Sequence, residues 1–122
     1  IAASIRKAQE QGIRVSAAVV DDAGHLVAFS RMDGASWVTV KISQGKAYAA
    51  AGFRTSTAAL AERRKAEPFW ADVVGVYEGK MVLAGGGLPV KVGGHFAGAI
   101  GVSGGKEDQD IECAKAAVEA VG

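Results

Sequence analysis

Apolar residues at Ile1, Ile5 and Ala8 recur at helical spacing and Gly12 stands just past them, so the chain is expected to open with an amphipathic helix ending at that glycine. From Arg14 to Val20 the period shortens to two, with Val15, Ala17 and Val19 on one face. After Asp21-Asp22-Ala23-Gly24 a second run, His25 to Met32, is rich in Leu, Val and Phe. Two such runs around an Asp/Gly turn predict a β-hairpin. The pattern then lengthens again: Val38, Ile42, Gly45, Ala49 and Phe53 fall near one side of a helix predicted over roughly Ser36 to Phe53. Thr55-Ser56-Thr57 reads as an N-cap cluster for a shorter helix that stops before Pro68. Phe69 to Tyr77 carries no clear period and is expected to be irregular. A short strand is expected at Met81-Val82-Leu83, ahead of Gly85-Gly86-Gly87.

The last third has the clearest pattern. Leu88–Val92 and His95–Val102 flank Gly93-Gly94, a pair suited to a tight hairpin turn. A regular register then opposes Val92 to His95, Val90 to Ala97 and Leu88 to Ala99. It places these six with Gly101 and Ser103 on one face and Lys91, Phe96, Ile100 and Val102 on the other. The small residues Ala97, Ala99 and Gly101 would leave room for a ligand beside the sheet. From Glu107 a helix is expected to the end of the chain, burying Ile111, Ala114, Val118 and Val121. The element order gives an α+β fold, an antiparallel sheet of about five strands flanked by helices. The length of 122 residues fits a single domain over 1–122.

Charge excludes one class of partner. Lys and Arg total 14 against 13 Asp and Glu, and the basic residues are scattered except for Arg63-Arg64-Lys65 beside Glu62 and Glu67, so no nucleic-acid footprint is formed. The apolar runs are far shorter than the ~20 residues of a membrane helix, so no membrane partner is expected. Cys113 is the single cysteine, which excludes an internal disulfide and is compatible with a reducing, cytoplasmic setting. The chain starts at Ile1 without methionine or a signal-type apolar region, which implies a trimmed N-terminus.

Several residues could carry chemistry. Gly101-Val102-Ser103-Gly104-Gly105 has the G-x-S-x-G spacing of a nucleophile elbow, but no histidine follows Ser103 to act as base, so the glycines are read as a strand-to-helix junction. That junction is a poor anion site, because Glu107, Asp108 and Asp110 already fill the first helical turn with carboxylates. His25 and Arg31 share a strand face but stand about 20 Å apart, too far for one small site. His95 sits at a turn tip. Arg31, Asp33 and Lys46 could converge across one loop, although strand-end charges are more often solvated. Cys113 lies between buried positions and reads as a structural thiol. The donors present are too few to suggest a metal site.

Read together, Ala18-Val19-Val20-Asp21, Gly24 to Phe29, Arg31-Met32-Asp33-Gly34-Ala35, Gly45-Lys46-Ala47-Tyr48, Gly85 to Val90, Gly98 to Gly105 and Gln109-Asp110 resemble the haem-degrading domain family. This is the GlcG/HbpS-like group, which includes the C-terminal domain of PduO-type adenosyltransferases. The resemblance spans nearly the whole chain. It implies a profilin-like α-β-α layering, assembly into homo-oligomers and, in some members, haem binding. Candidate axial ligands are His25 and His95, with Met32, Met81, Tyr48 and Tyr77 behind them.

The first functional expectation is a small-molecule binding domain holding haem or another planar or acidic ligand near Arg31, Asp33, Lys46, Gly86, Gly87, Pro89, Ser103 and Gly104. The second is a catabolic enzyme acting on a hydroxy-acid or aromatic substrate, with Lys46 and Asp33 as catalytic acid or base and Arg31 holding a carboxylate. The third is a non-catalytic oligomeric accessory protein.

Overall fold

Nine elements follow one another in the computed structural model, which describes residues 1–121: α1 (Ala2–Gln11), β1 (Ser16–Asp21), β2 (Leu26–Arg31), α2 (Val38–Phe53), α3 (Thr57–Ala66), α4 (Phe69–Val76), β3 (Gly87–Val92), β4 (His95–Ser103) and α5 (Glu107–Val121). The strands form one antiparallel sheet in the order β2-β1-β4-β3. Alternation along the two central strands gives both faces something to bury. Val15, just before β1, with Ala17, Ile100 and Val102 packs against Ala8 of α1 and Cys113, Ala114 and Ala117 of α5. Ala18, Val20 and Ala99 point the other way, onto Ala47, Ala50 and Ala51 of α2. The α+β fold and its helix–sheet–helix layering are therefore as expected.

The sheet has four strands, close to the expected number of about five. Met81–Leu83 lies outside it: the Val82 N–H donates to the Gly45 carbonyl of α2, while Met81 and Leu83 are buried with Leu60, Trp70 and Val73. Packing against helices, instead of a ladder, satisfies this apolar segment. Phe69–Val76, expected to be irregular, is helical. Proline suits a helix start, where no N–H is needed, and Pro68 occupies that position while Trp70 and Val73 supply an i, i+3 buried pair.

The register of the last hairpin departs from the regular one. Val92 pairs with His95 as expected, but the register then shifts, so that Val90 opposes Gly98 and Leu88 opposes Ile100. Ala97 is the extra residue of a β-bulge. Gly98 explains its position, because a side chain there would collide with the Val20 carbonyl of the neighbouring strand. Beyond the bulge the faces invert, and Leu88 and Val90 join Ile100 and Val102 while Phe96 joins Ala99. Nor do the small residues leave a space. α2 lies directly on Gly101, where a Cβ would come within 2.5 Å of the Ala47 backbone nitrogen.

Candidate functional site

Lys46 is buried, and its ammonium donates to the Val102 carbonyl at 2.9 Å and to Asp110 Oδ2 at 3.1 Å. The second Asp110 oxygen accepts the Gly105 N–H at 2.8 Å. Burial pushes the Asp110 carboxyl above its ordinary value, against the opposing pull of Lys46 and the Gly105 N–H. The three-glycine loop closes over this pair. A side chain at Gly86 would meet Lys46 Nζ at 2.9 Å and Asp110 Cβ at 3.1 Å, and the Gly87 N–H donates to Thr57 Oγ1 at 2.8 Å. These contacts latch α2, α5 and the start of β3 together.

Of the residues expected to share a pocket, Lys46, Gly86 and Gly87 are thus brought together. Arg31 and Asp33 are exposed, and the Asp33 carbonyl accepts a 3.0 Å hydrogen bond from Arg14. Among the described residues no hydrogen bond or ion pair joins Lys46 to either of them. Ser103 is buried at the end of β4, Gly104 is exposed beside it, and Pro89 is half-buried within β3. His95 is exposed at its hairpin. Cys113 is buried, and desolvation, with the Asp110 charge beside it, pushes its thiol up to about 11.

Concavity occurs at the other end of the sheet. Ser16 pairs with both Arg31 and Ser103 at one end, whereas Asp21 and Gly98 lie at the other, about 17 Å away along β1. At this second end a cleft of about 660 Å³ is lined by Val20, His25 and Leu26 of the first hairpin, Lys41, Gln44 and Tyr48 of α2, and the Glu78–Lys80 turn. Its volume lies within the range usual for small-molecule sites, roughly 300–1,000 Å³. Each part is held by local chemistry. Asp21 Oδ1 accepts the N–H groups of Ala23 and His25, both at 2.9 Å, which ties the β1–β2 turn and fixes the His25 backbone. Those hydrogen bonds, with His25 first, hold the Asp21 carboxyl below its usual range, against a smaller effect of desolvation. The imidazole is exposed, with Nδ1 at 3.6 Å from Asp21 Oδ2, an ion-pair distance rather than a hydrogen bond.

Tyr48 forms the inner wall. Gly24 lets it do so: at φ 85 the residue is in the left-handed region, and a Cβ there would sit 2.9 Å from the Tyr48 ring. The Tyr48 ring meets Tyr77 edge-on, with centroids 6.3 Å apart. Arg54 and Glu78 are the two non-glycine residues with positive φ among those described, and both border clefts at this end. Backbone strain tends to persist where function requires it.

The cleft offers an exposed imidazole, two lysines, a tyrosine wall and apolar positions at Val20 and Leu26. It suits a ligand with an apolar body, negative groups and an atom that accepts imidazole nitrogen. Among the described residues, no cluster of three His, Cys, Asp or Glu side chains could hold a bare metal ion. Of this set, His25 and Tyr48 are candidates on the sequence alone. Lys41, Gln44 and Lys80 are not, since isolated polar residues on a helix and a turn carry no motif. The available signal was the Glu78-Gly79-Lys80 turn, whose position against α2 is tertiary.

The fold has counterparts in known proteins. A family model described as "Haem degrading protein HbpS-like" matches residues 1–119. Protein GlcG of Escherichia coli (strain K12) is 41% identical over 103 residues, covering 84% of this chain and 74% of that protein. A crystal structure of Klebsiella pneumoniae protein ORFY superimposes with a TM-score of 0.91 at 31% identity, covering 98% of this chain and 83% of the other. The crystal structure of a PduOC–haem complex does so with a TM-score of 0.89 at 29% identity, covering 98% and 87%. With a match over nearly its whole length and the same layered sheet, this chain belongs to the HbpS-like family of haem degrading proteins.

Proposed function

We propose that the chain is a haem-binding domain and that the His25 cleft is where the haem is held. One observation carries the reading: an exposed, Asp21-flanked imidazole stands in an aromatic and apolar cleft that also presents Lys41 and Lys80. Support comes from the family match and from the haem complex of the structurally similar PduOC. His25 would be the residue to hold the iron, through Nε2, since the Asp21 carboxylate stands beside Nδ1 and would favour the tautomer that leaves Nε2 free. Lys41 and Lys80 would offer ammonium groups to the carboxylates of such a ligand. Tyr48 and Leu26 would lie against its apolar surface and limit access of water. Bound haem supplies an iron centre whose redox and ligand chemistry is set by its axial ligand and surroundings.

Titration of the purified protein with haemin tests this directly. A saturable Soret shift is expected, lost in His25→Ala and retained in His95→Ala. A wild type without saturation, or a His25→Ala variant that saturates normally, would remove the assignment.

The same reading includes self-association. β2 is an edge strand with one side of its backbone unpaired, and it exposes Leu26 and Val27 without a lysine or proline to block further pairing.

A further inference from the structure

A second, smaller cleft adjoins the first and shares Gly24 and Tyr48 with it, while its other lining residues have no part in the haem reading. Its volume is about 300 Å³, and it lies between the β1–β2 turn, the C-terminal end of α2 and the end of α4. Tyr48, Phe53, Tyr77 and Met81 contribute three aromatic rings and a thioether to a lining that is otherwise mostly polar, and Arg54 and Asp22 give it one charge of each sign. Among the described residues, neither Arg54 nor Asp22 has a charged partner within ion-pair distance.

Arg54 is an unusual residue for its position. It follows the last residue of α2 with φ 51 and ψ 39, the left-handed conformation that a helix end usually gives to glycine. A helix end alone does not require arginine there, since glycine would relieve the conformational cost. Its guanidinium lies over the Phe96 ring, 4.6 Å from the centroid. The stack holds a flat two-pronged donor on a residue that lines the cleft, and among the described residues no carboxylate pairs with it.

We propose that this cleft is a second ligand site, separate from the haem cleft, for a small monocarboxylate with an apolar or aromatic body. Arg54 anchors the carboxylate through its fork of N–H donors. Tyr48, Phe53, Tyr77 and Met81 receive the body. Asp22, on the β1–β2 turn, supplies an acceptor for a donor group on the same molecule and makes a dianion a poor guest.

The test uses haem-free protein, so its result does not depend on haem binding, and it uses 3-phenylpropanoate as the probe, followed by amide NMR. Saturable shifts at Asp22–Gly24 and Ala51–Arg54 are expected in the millimolar range, with the uncharged amide of the probe binding at least roughly tenfold more weakly. Arg54→Gly separates a binding role from a structural one. Glycine suits the left-handed helix end, so this variant is expected to unfold at the same or a higher temperature while losing about tenfold or more in probe affinity. Three results would each overturn the proposal. They are no saturable shift up to about 10 mM, unchanged affinity in Arg54→Gly, and competitive displacement of the probe by haemin, which would make the two clefts one site.

Discussion

Lys46 shows what a single residue's neighbours can change. Its place on a helix soon after Arg31 and Asp33 suggested a functional cation. Its actual partner, Asp110, stands 64 positions later, and both side chains are 5% exposed. Breaking such a pair from one side leaves a buried charge uncompensated, which typically costs about 3–5 kcal/mol. Lys46→Met also removes the donor on the Val102 carbonyl. The variant should be destabilised by an amount of that order in urea unfolding at neutral pH. Its pH dependence has a definite sign. Without Lys46 the Asp110 carboxyl, already raised by burial, moves further above its unfolded value. A group raised in the folded state contributes stability that is complete below its unfolded value and is lost as pH rises through its folded value. The deficit of Lys46→Met relative to wild type should therefore be greatest near neutrality and shrink towards about pH 4, near the unfolded carboxylate value. A deficit independent of pH would show that Asp110 is not the group left uncompensated.

Among the elements, the contact between α2 and β4 decides most. Alternation and helical period located both, but not how closely they meet. At Gly101 they approach so nearly that the missing side chain is the fit. Gly101→Ala would drive a methyl group into the backbone at Ser43 and Ala47, so α2 must shift off the sheet. Overpacking of this kind costs about 1–3 kcal/mol, more where backbone is struck. The expected result is a lowered urea midpoint with an unchanged slope, whereas a variant as stable as wild type would contradict the packing described. The β-bulge at Ala97 was hidden for a related reason. Period and turn type predict a regular ladder, and the shift is imposed by a neighbouring strand's carbonyl beside Gly98. The α4 helix was overlooked because its eight residues are too few to display a period.

At the scale of the whole molecule, the useful surfaces gather at one end and along one edge. The two clefts share Gly24 and Tyr48 at the end of the sheet where both hairpins turn. β2 borders that end and leaves Val27 65% exposed. A lysine in its place would set a charge on any strand-to-strand contact. Light scattering coupled to size exclusion should find wild type larger than a monomer, and Val27→Lys shifted towards monomer with an unchanged circular dichroism spectrum. A monomeric wild type would remove the edge-pairing reading.

By itself the sequence determined the elements that rest on local chemistry: the alternating strands, the Asp/Gly and Gly-Gly turns, a cap within Thr55–Thr57 and the existence of α5, whose buried side is formed by Cys113, Ala114 and Ala117 while Val121, expected to be buried, is exposed. Together these define an α+β sheet, and the longer shared phrases identify the family. Tertiary structure decided what lies next to what. It left Met81–Leu83 out of the sheet, slipped the register at Ala97 and filled the small-residue face with α2. It also turned Lys46 and the glycine loop into a latch, and formed clefts at the opposite end of the sheet. The physical reason is that periodicity records which side of an element is apolar, whereas a site depends on contacts between elements. Such contacts, here between Lys46 and Asp110 or Tyr48 and Gly24, join positions whose separation along the chain carries no signal.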